Sequence, residues 1–301
     1  MLKASLNTVQ LLWASLGVYA RGPGLLWFAP MWGVALLAVL GLTWLGLDAS
    51  GAFDRITKGA DIRVPDVLFL LFVHLLGCSV TLFVASSFVA AIYHRMEGGE
   101  AEVRTGLDAA ADRLGAIALW AAFAGTIGFL LKPLARSRHA PDAVGRIVFG
   151  GGSPAATSLV VPVMMIEGSS PMSSLARSSE LYSDTWGGGT VPNFNLAIAY
   201  AFFALLAAGA GGGLYYWSES VSLAITVAAI IGLVGVAFLR ACETIVSVGL
   251  YYYAVGGASD VFPERMLRYA FVREDDRGRW PRTTPPRGGL TSSSSWERAR
   301  S

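Results

Sequence analysis

"VLFLLFVHLLGCSVTLFVASSFVAAIY" (Val67–Tyr93) runs for 27 residues without one formal charge. As a helix rising 1.5 Å per residue it reaches ~40 Å, more than the ~30 Å hydrocarbon core of a bilayer. In oil every backbone amide needs an internal partner, which a helix supplies along its own length. The stretch therefore predicts a membrane-spanning helix, and the fold depends on how often the pattern recurs.

It recurs at Gly24–Leu47, Leu114–Leu134, Ile147–Ile166 and Phe194–Trp217, and from Val221 to Val255. Only 15% of the 301 residues are charged, against about 25% in a soluble domain. The expected fold class is all-α: a polytopic membrane protein with six transmembrane helices arranged as three hairpins, and amphipathic interfacial helices between them. Three regions are expected. Residues 1–22 form an N-terminal amphipathic interfacial helix, residues 23–272 the six-helix transmembrane domain, and residues 273–301 a disordered Arg/Ser/Pro-rich tail.

The first region shows Leu2, Leu6, Val9, Trp13 and Leu16 at steps of three and four. This is an amphipathic helix lying on the membrane surface, not the solid apolar run of a signal peptide. Pro23 comes next and suits the opening of the first span.

The ends of the even-numbered spans share a pattern. In "MMIEGSSPMSSLARSSELYSDTWG" (Met164–Gly187) an apolar run stops at Glu167-Gly168. Ser170 is a good N-cap and Pro171 suits the first helical position. Met172, Leu175, Ala176, Tyr182 and Trp186 share one face of the next helix; Ser173, Arg177, Glu180 and Asp184 share the other, and Leu181 fits neither. After Glu97-Gly98 comes a stripe of Val103, Leu107, Ala110 and Leu114. After Gly256-Gly257 come Phe262, Met266 and Tyr269. Each predicts an interfacial helix behind a glycine.

Basic residues set the orientation. Fifteen fall on the side that holds both termini and seven on the other. The prediction is a multi-pass protein of the cell membrane with its N- and C-termini in the cytoplasm. Trp44 and Tyr215-Tyr216-Trp217 then fall at the outer boundary, and Trp27 and Tyr251-Tyr252-Tyr253 near the inner one.

The stretches "VVPVMMIEGSSPMSSLARSSELYSDTWG", "AIYHRMEGGEAEVRTGLDAAADRLGAI" and "GLYYYAVGG…FPERMLRYAF" resemble a family of uncharacterised prokaryotic membrane proteins, DUF family 6159. The resemblance covers roughly residues 5–272. It implies a six-span integral membrane protein and brings no activity and no site residues. "FGGGSP" and the longer tail depart from the family's pattern.

Two clusters invite a functional reading. "GGGSP" (Gly150, Gly151, Gly152, Ser153, Pro154) and "GAGGG" (Gly209, Ala210, Gly211, Gly212, Gly213) lie in the outer halves of the fourth and fifth spans. Both are candidate helix breaks, and His74 reaches the same depth. Together they predict a cavity, against which stands close helix packing through small residues. Gly151–Ala155 echoes a nucleophile elbow but has no preceding strand. The second cluster is the charge pair Arg240 and Glu243, three residues apart on one helix face inside the last span.

No catalytic constellation assembles, so no enzyme activity, metal or cofactor is expected. Cys78 and Cys242 read as small buried hydrophobes. The net charge of +2 gives no reason to expect a nucleic-acid partner. The expected partners are the lipid bilayer, other proteins, and further copies of the chain through membrane helices. Two functions compete: a membrane scaffold or envelope-organising protein, and a transporter or channel-like protein with a cavity near His74, Gly150–Pro154 and Gly209–Gly213.

Overall fold

The computed structural model describes residues 2–58, 63–100, 102–134, 154–187, 190–192, 196–257, 262, 264–268 and 270–273. The chain opens with α1 (Leu2–Arg21) and a 3-10 turn at Pro23–Trp27. Then come α2 (Phe28–Ala49), the short α3 (Ala52–Thr57), α4 (Val64–Met96), α5 (Val103–Ala111) and α6 (Leu114–Leu134). A second 3-10 turn at Pro154–Leu159 leads into α7 (Val160–Ile166) and α8 (Pro171–Trp186). The rest is α9 (Ala197–Ser218), α10 (Val221–Ala254) and α11 (Glu264–Arg268), with strands β1 (Thr190–Pro192) and β2 (Phe271–Arg273) in an antiparallel pair. Among the described residues the fold is all-helical apart from that two-stranded ladder.

Four helical stretches among the described residues are long and apolar enough to cross a membrane: Gly24–Ala49, α4, α9 and α10. The stretch Thr157–Ile166 and α8 form a pair bent by 119°, which raises the number to five if the pair counts as one span. That is short of the six expected. The third expected span does form a helix, α6. The fourth begins at residue 147, and its first seven residues lie outside the described ones. The helices α2 and α4 pack together, as do α9 and α10, and α6 packs on α4.

Burial divides the molecule along the helix axes. One end is apolar yet uncovered: Val34, Leu37 and Leu40 of α2, Leu68 and Phe72 of α4, Leu205 of α9, and Ile225, Ile230 and Val234 of α10 are all exposed. The other end is a packed cap. Its core holds Phe88 and Ile92 of α4, Val163 and Met164 of α7, and Ile245 and Leu250 of α10. Phe28 stacks on Phe88 with ring centroids 4.7 Å apart. Each large side chain fully buried there contributes about 1.5–3 kcal/mol.

The glycine ends are as the sequence predicts. Gly98, Gly168 and Gly256 have φ of +90°, +73° and +82°, the left-handed region that L side chains avoid. Two of the caps share a register. Gly98 and Gly99 donate to the carbonyls of Arg95 and His94, and Gly256 and Gly257 to those of Tyr253 and Tyr252.

The segments behind these glycines differ from the expectation. α5 is amphipathic, with Ala110 buried and Arg104, Asp108 and Asp112 exposed. Its apolar face is covered by protein, because Gly106 lets it approach the Ser87 carbonyl of α4. Further on, Gly125 of α6 packs on Leu75 and Cys78, so α5 and α6 return antiparallel along α4. α8 is capped as expected, with the Ser170 hydroxyl accepting from the Ser173 amide at 3.4 Å. Yet its buried face is Ser174, Ser178, Leu181, Tyr182 and Trp186, while Met172 is exposed. Small serines let α8 close on α7 and the turn before it, which makes Leu181 a core residue. After Gly257 no long surface helix forms among the described residues. α11 has five residues, and Phe271 then enters β2 and packs on Tyr182 and Trp186, each 5.0 Å away.

The face of α1 is shifted too. Among its described side chains Leu11, Ser15 and Val18 are buried, and the helix packs on α10. The expected stripe is left uncovered at Val9, Trp13 and Leu16. The tail beyond residue 273 lies outside the described residues.

Candidate functional site

A polar cluster joins three elements in the cap. The apolar run of α7 ends at Glu167, and Gly168 turns the chain by 119° into α8. That turn is tight: a side chain at Gly168 would meet the Arg113 guanidinium. Two turns into α8, Arg177 Nε lies 3.6 Å from Glu167 Oε2, and its Nη1 donates to Glu180 Oε2 at 2.7 Å. Across the cap, the Tyr251 hydroxyl of α10 donates to Glu167 Oε1 at 3.1 Å. Burial alone would push the Arg177 guanidinium down. Bonding to Glu180 and the charges of Glu167 and Glu180 outweigh it and raise it above its ordinary value.

Each Glu167 oxygen thus faces a donor from a different helix. The arrangement is a latch that fixes the α7–α8 bend against α10. A neighbouring aromatic group closes the other side of the cap. The Trp186 indole donates to the Leu267 carbonyl at 3.0 Å and lies 6.0 Å from Tyr253. Sequence spacing gives no sign of a bond between residues 84 positions apart. The one available signal is that Glu167, Arg177 and Tyr251 all fall in the stretches around the glycine ends.

A family model matches residues 64–261, from the first residue of α4 to beyond the end of α10. The chain belongs to a family of unknown function, DUF6159. The match takes in every member of the latch and leaves α1, α2 and α3 outside. It is shorter than the stretch 5–272 that the sequence resemblance spans. Searches of curated proteins and of solved structures found no match.

The residues singled out from the sequence fall in three places. His74 Nε2 lies 3.3 Å from the Gly125 carbonyl of α6, with the Cys78 sulfur 3.8 Å away. Of the second group, Gly150, Gly151, Gly152 and Ser153 lie outside the described residues, and Pro154 opens the 3-10 turn. The expected break at Gly209–Gly213 is not found: α9 runs unbroken through it. Gly211 there packs on the Ala224 carbonyl and Ala228 of α10, while Gly209, Gly212 and Gly213 face open space. A poor helix former stays helical here because the close approach of two helices compensates it.

Arg240 and Glu243 do pair, at 2.9 Å, and the Tyr200 hydroxyl of α9 donates to the same carboxylate at 3.0 Å. Cys242 beside them is buried. Among the described residues no three His, Cys, Asp or Glu side chains gather as a metal site would require.

Proposed function

We propose that the chain is an integral membrane protein that presents its cap to one side of the bilayer as a scaffold for other envelope proteins. The observation that carries this reading is the change of surroundings along α4 and α10. At 33 and 34 residues they reach ~50 Å, about 20 Å more than a bilayer core. Their uncovered apolar halves suit lipid, and their covered halves build the cap. The charged faces of α5 and α8 then look away from the membrane, available to partners.

On this reading there are six crossings. α6 leads away from the cap, and the segment ending in α7 leads back to it, between the pairs α2–α4 and α9–α10. The ends of α4, α7 and α10 meet in the cap, so an even number of crossings separates them. The bias of basic residues puts the cap and both termini in the cytoplasm.

The test has two parts. After alkaline extraction the chain should stay with the membrane pellet. Crosslinking in intact membranes should give discrete adducts that Asp108→Lys with Asp112→Lys removes without changing membrane insertion. Adducts indifferent to that charge reversal, or none at all, would contradict the scaffold role.

A further inference from the structure

α9 marks where the membrane ends. Its 22 residues reach ~33 Å, about one bilayer core. It pairs antiparallel with α10 at three levels: Gly211 on Ala224 and Ala228, Phe203 on Gly235, and Tyr200 on Glu243. The cap-side end of α9 is therefore level with residues 240–243. From Val221 to Leu239, α10 carries no formal charge, and its exposed large apolar side chains end at Val234. Beyond Arg240, Ala241, Cys242, Ile245, Val246 and Val248 are buried in the cap. Helix length and charge change at one level, and burial of α10 sets in just before it, from Gly235 on.

Arg240 stands at that level and points outward. Its side chain is 51% exposed, whereas Leu239 and Ala241 on either side are fully buried. Nη1 is held by Glu243 at 2.9 Å, and the guanidinium lies 6.0 Å from the centre of the Tyr200 ring. Nη2 and Nε are not used in that ion pair. A guanidinium held at one corner, with two donors left on a planar fork, matches a phosphate oxyanion.

We propose that Arg240 binds the phosphate of a phospholipid in the cap-side leaflet, with Glu243 and Tyr200 as positioning residues. The proposal rests on the membrane reading above. Free phosphate shares the chemistry. The position selects the lipid, since exposed Phe202 and Val234 lie one or two turns outward, where acyl chains would run.

The test uses the full chain, purified in mild detergent and titrated with short-chain phosphatidylglycerol, and separately with inorganic phosphate, by native mass spectrometry. A charge-assisted phosphate contact predicts about tenfold weaker lipid retention for Arg240→Gln. Arg240→Lys, which keeps the charge and loses the fork, should fall between. Glu243→Gln keeps an acceptor for Nη1 but loses the charge that positions the guanidinium, so its lipid retention should fall between those of the wild type and Arg240→Gln. All variants should elute as the wild type does on size exclusion. Should Arg240→Gln misfold, Arg240→Lys against the wild type carries the test alone. Equal retention by the wild type and the folded Arg240 variants overturns the proposal. So does saturation of the site by inorganic phosphate at the same concentration as the lipid. Failure of the membrane reading is separate: the chain would then stay dissolved without detergent.

Discussion

Phe72 and Phe88 sit on the same helix, α4, in opposite circumstances. Phe72 is 60% exposed and Phe88 is fully buried. The split repeats on α10 between Ile230 and Ile245. Both halves of each helix are apolar, so hydropathy does not separate them. The partner does: in the cap protein covers the apolar face, and elsewhere protein leaves it bare. An exposed apolar surface of that extent needs another covering, and on the proposed membrane reading that covering is lipid.

Matched truncations test the comparison with the largest effect. Phe88→Ala should cost about 3–5 kcal/mol through lost burial and a cavity, measured by denaturant unfolding in micelles. Phe72→Ala should cost less than about 1 kcal/mol, since its ring meets detergent in both states. Similar losses at both sites would erase the distinction.

Close approach gives the next pair. Gly211→Leu drives a side chain into the α10 backbone and should cost about 1–3 kcal/mol. Gly212→Leu enters open space and should be nearly neutral. Thermal unfolding of the two variants compares them directly.

The latch comes third. Tyr251→Phe removes a donor to a carboxylate and should cost about 1–2 kcal/mol. Hydrogen exchange should report it as faster opening of the α7–α8 bend, with α9 unaffected. The smallest effect belongs to the exposed pair of Arg104 and Asp108, 3.7 Å apart. Arg104→Ala should change stability by under about 0.5 kcal/mol.

The helices and their glycine ends are legible in the sequence, because both obey local rules. A charge-free run longer than the bilayer core predicts one long helix, and glycine after it marks the left-handed stop. The faces are harder. Periodicity counts serine as polar, so the Ser174–Ser178 contact surface of α8 passes for a solvated one. Glycine reads as a breaker, yet Gly211 is a packing surface inside a continuous helix. The stripe Leu2–Leu16 of α1 is apolar, but the face held by protein is the one bearing Ser15. The latch depends on pairing across 84 residues, which no local pattern encodes. The Arg240–Glu243 pair is accessible because three-residue spacing is local; its third member, Tyr200, is not.

Spin labels at Phe72, Ile230 and Val234, and at Arg104 and Ser183 on the cap, report in reconstituted bilayers whether lipid surrounds the uncovered halves of α4 and α10. Collision with oxygen and with a water-soluble nickel chelate is read at each site. Oxygen-dominated collision is expected at the first three and nickel-dominated collision at the last two. Nickel-dominated collision at Phe72 and Ile230 would contradict the membrane reading.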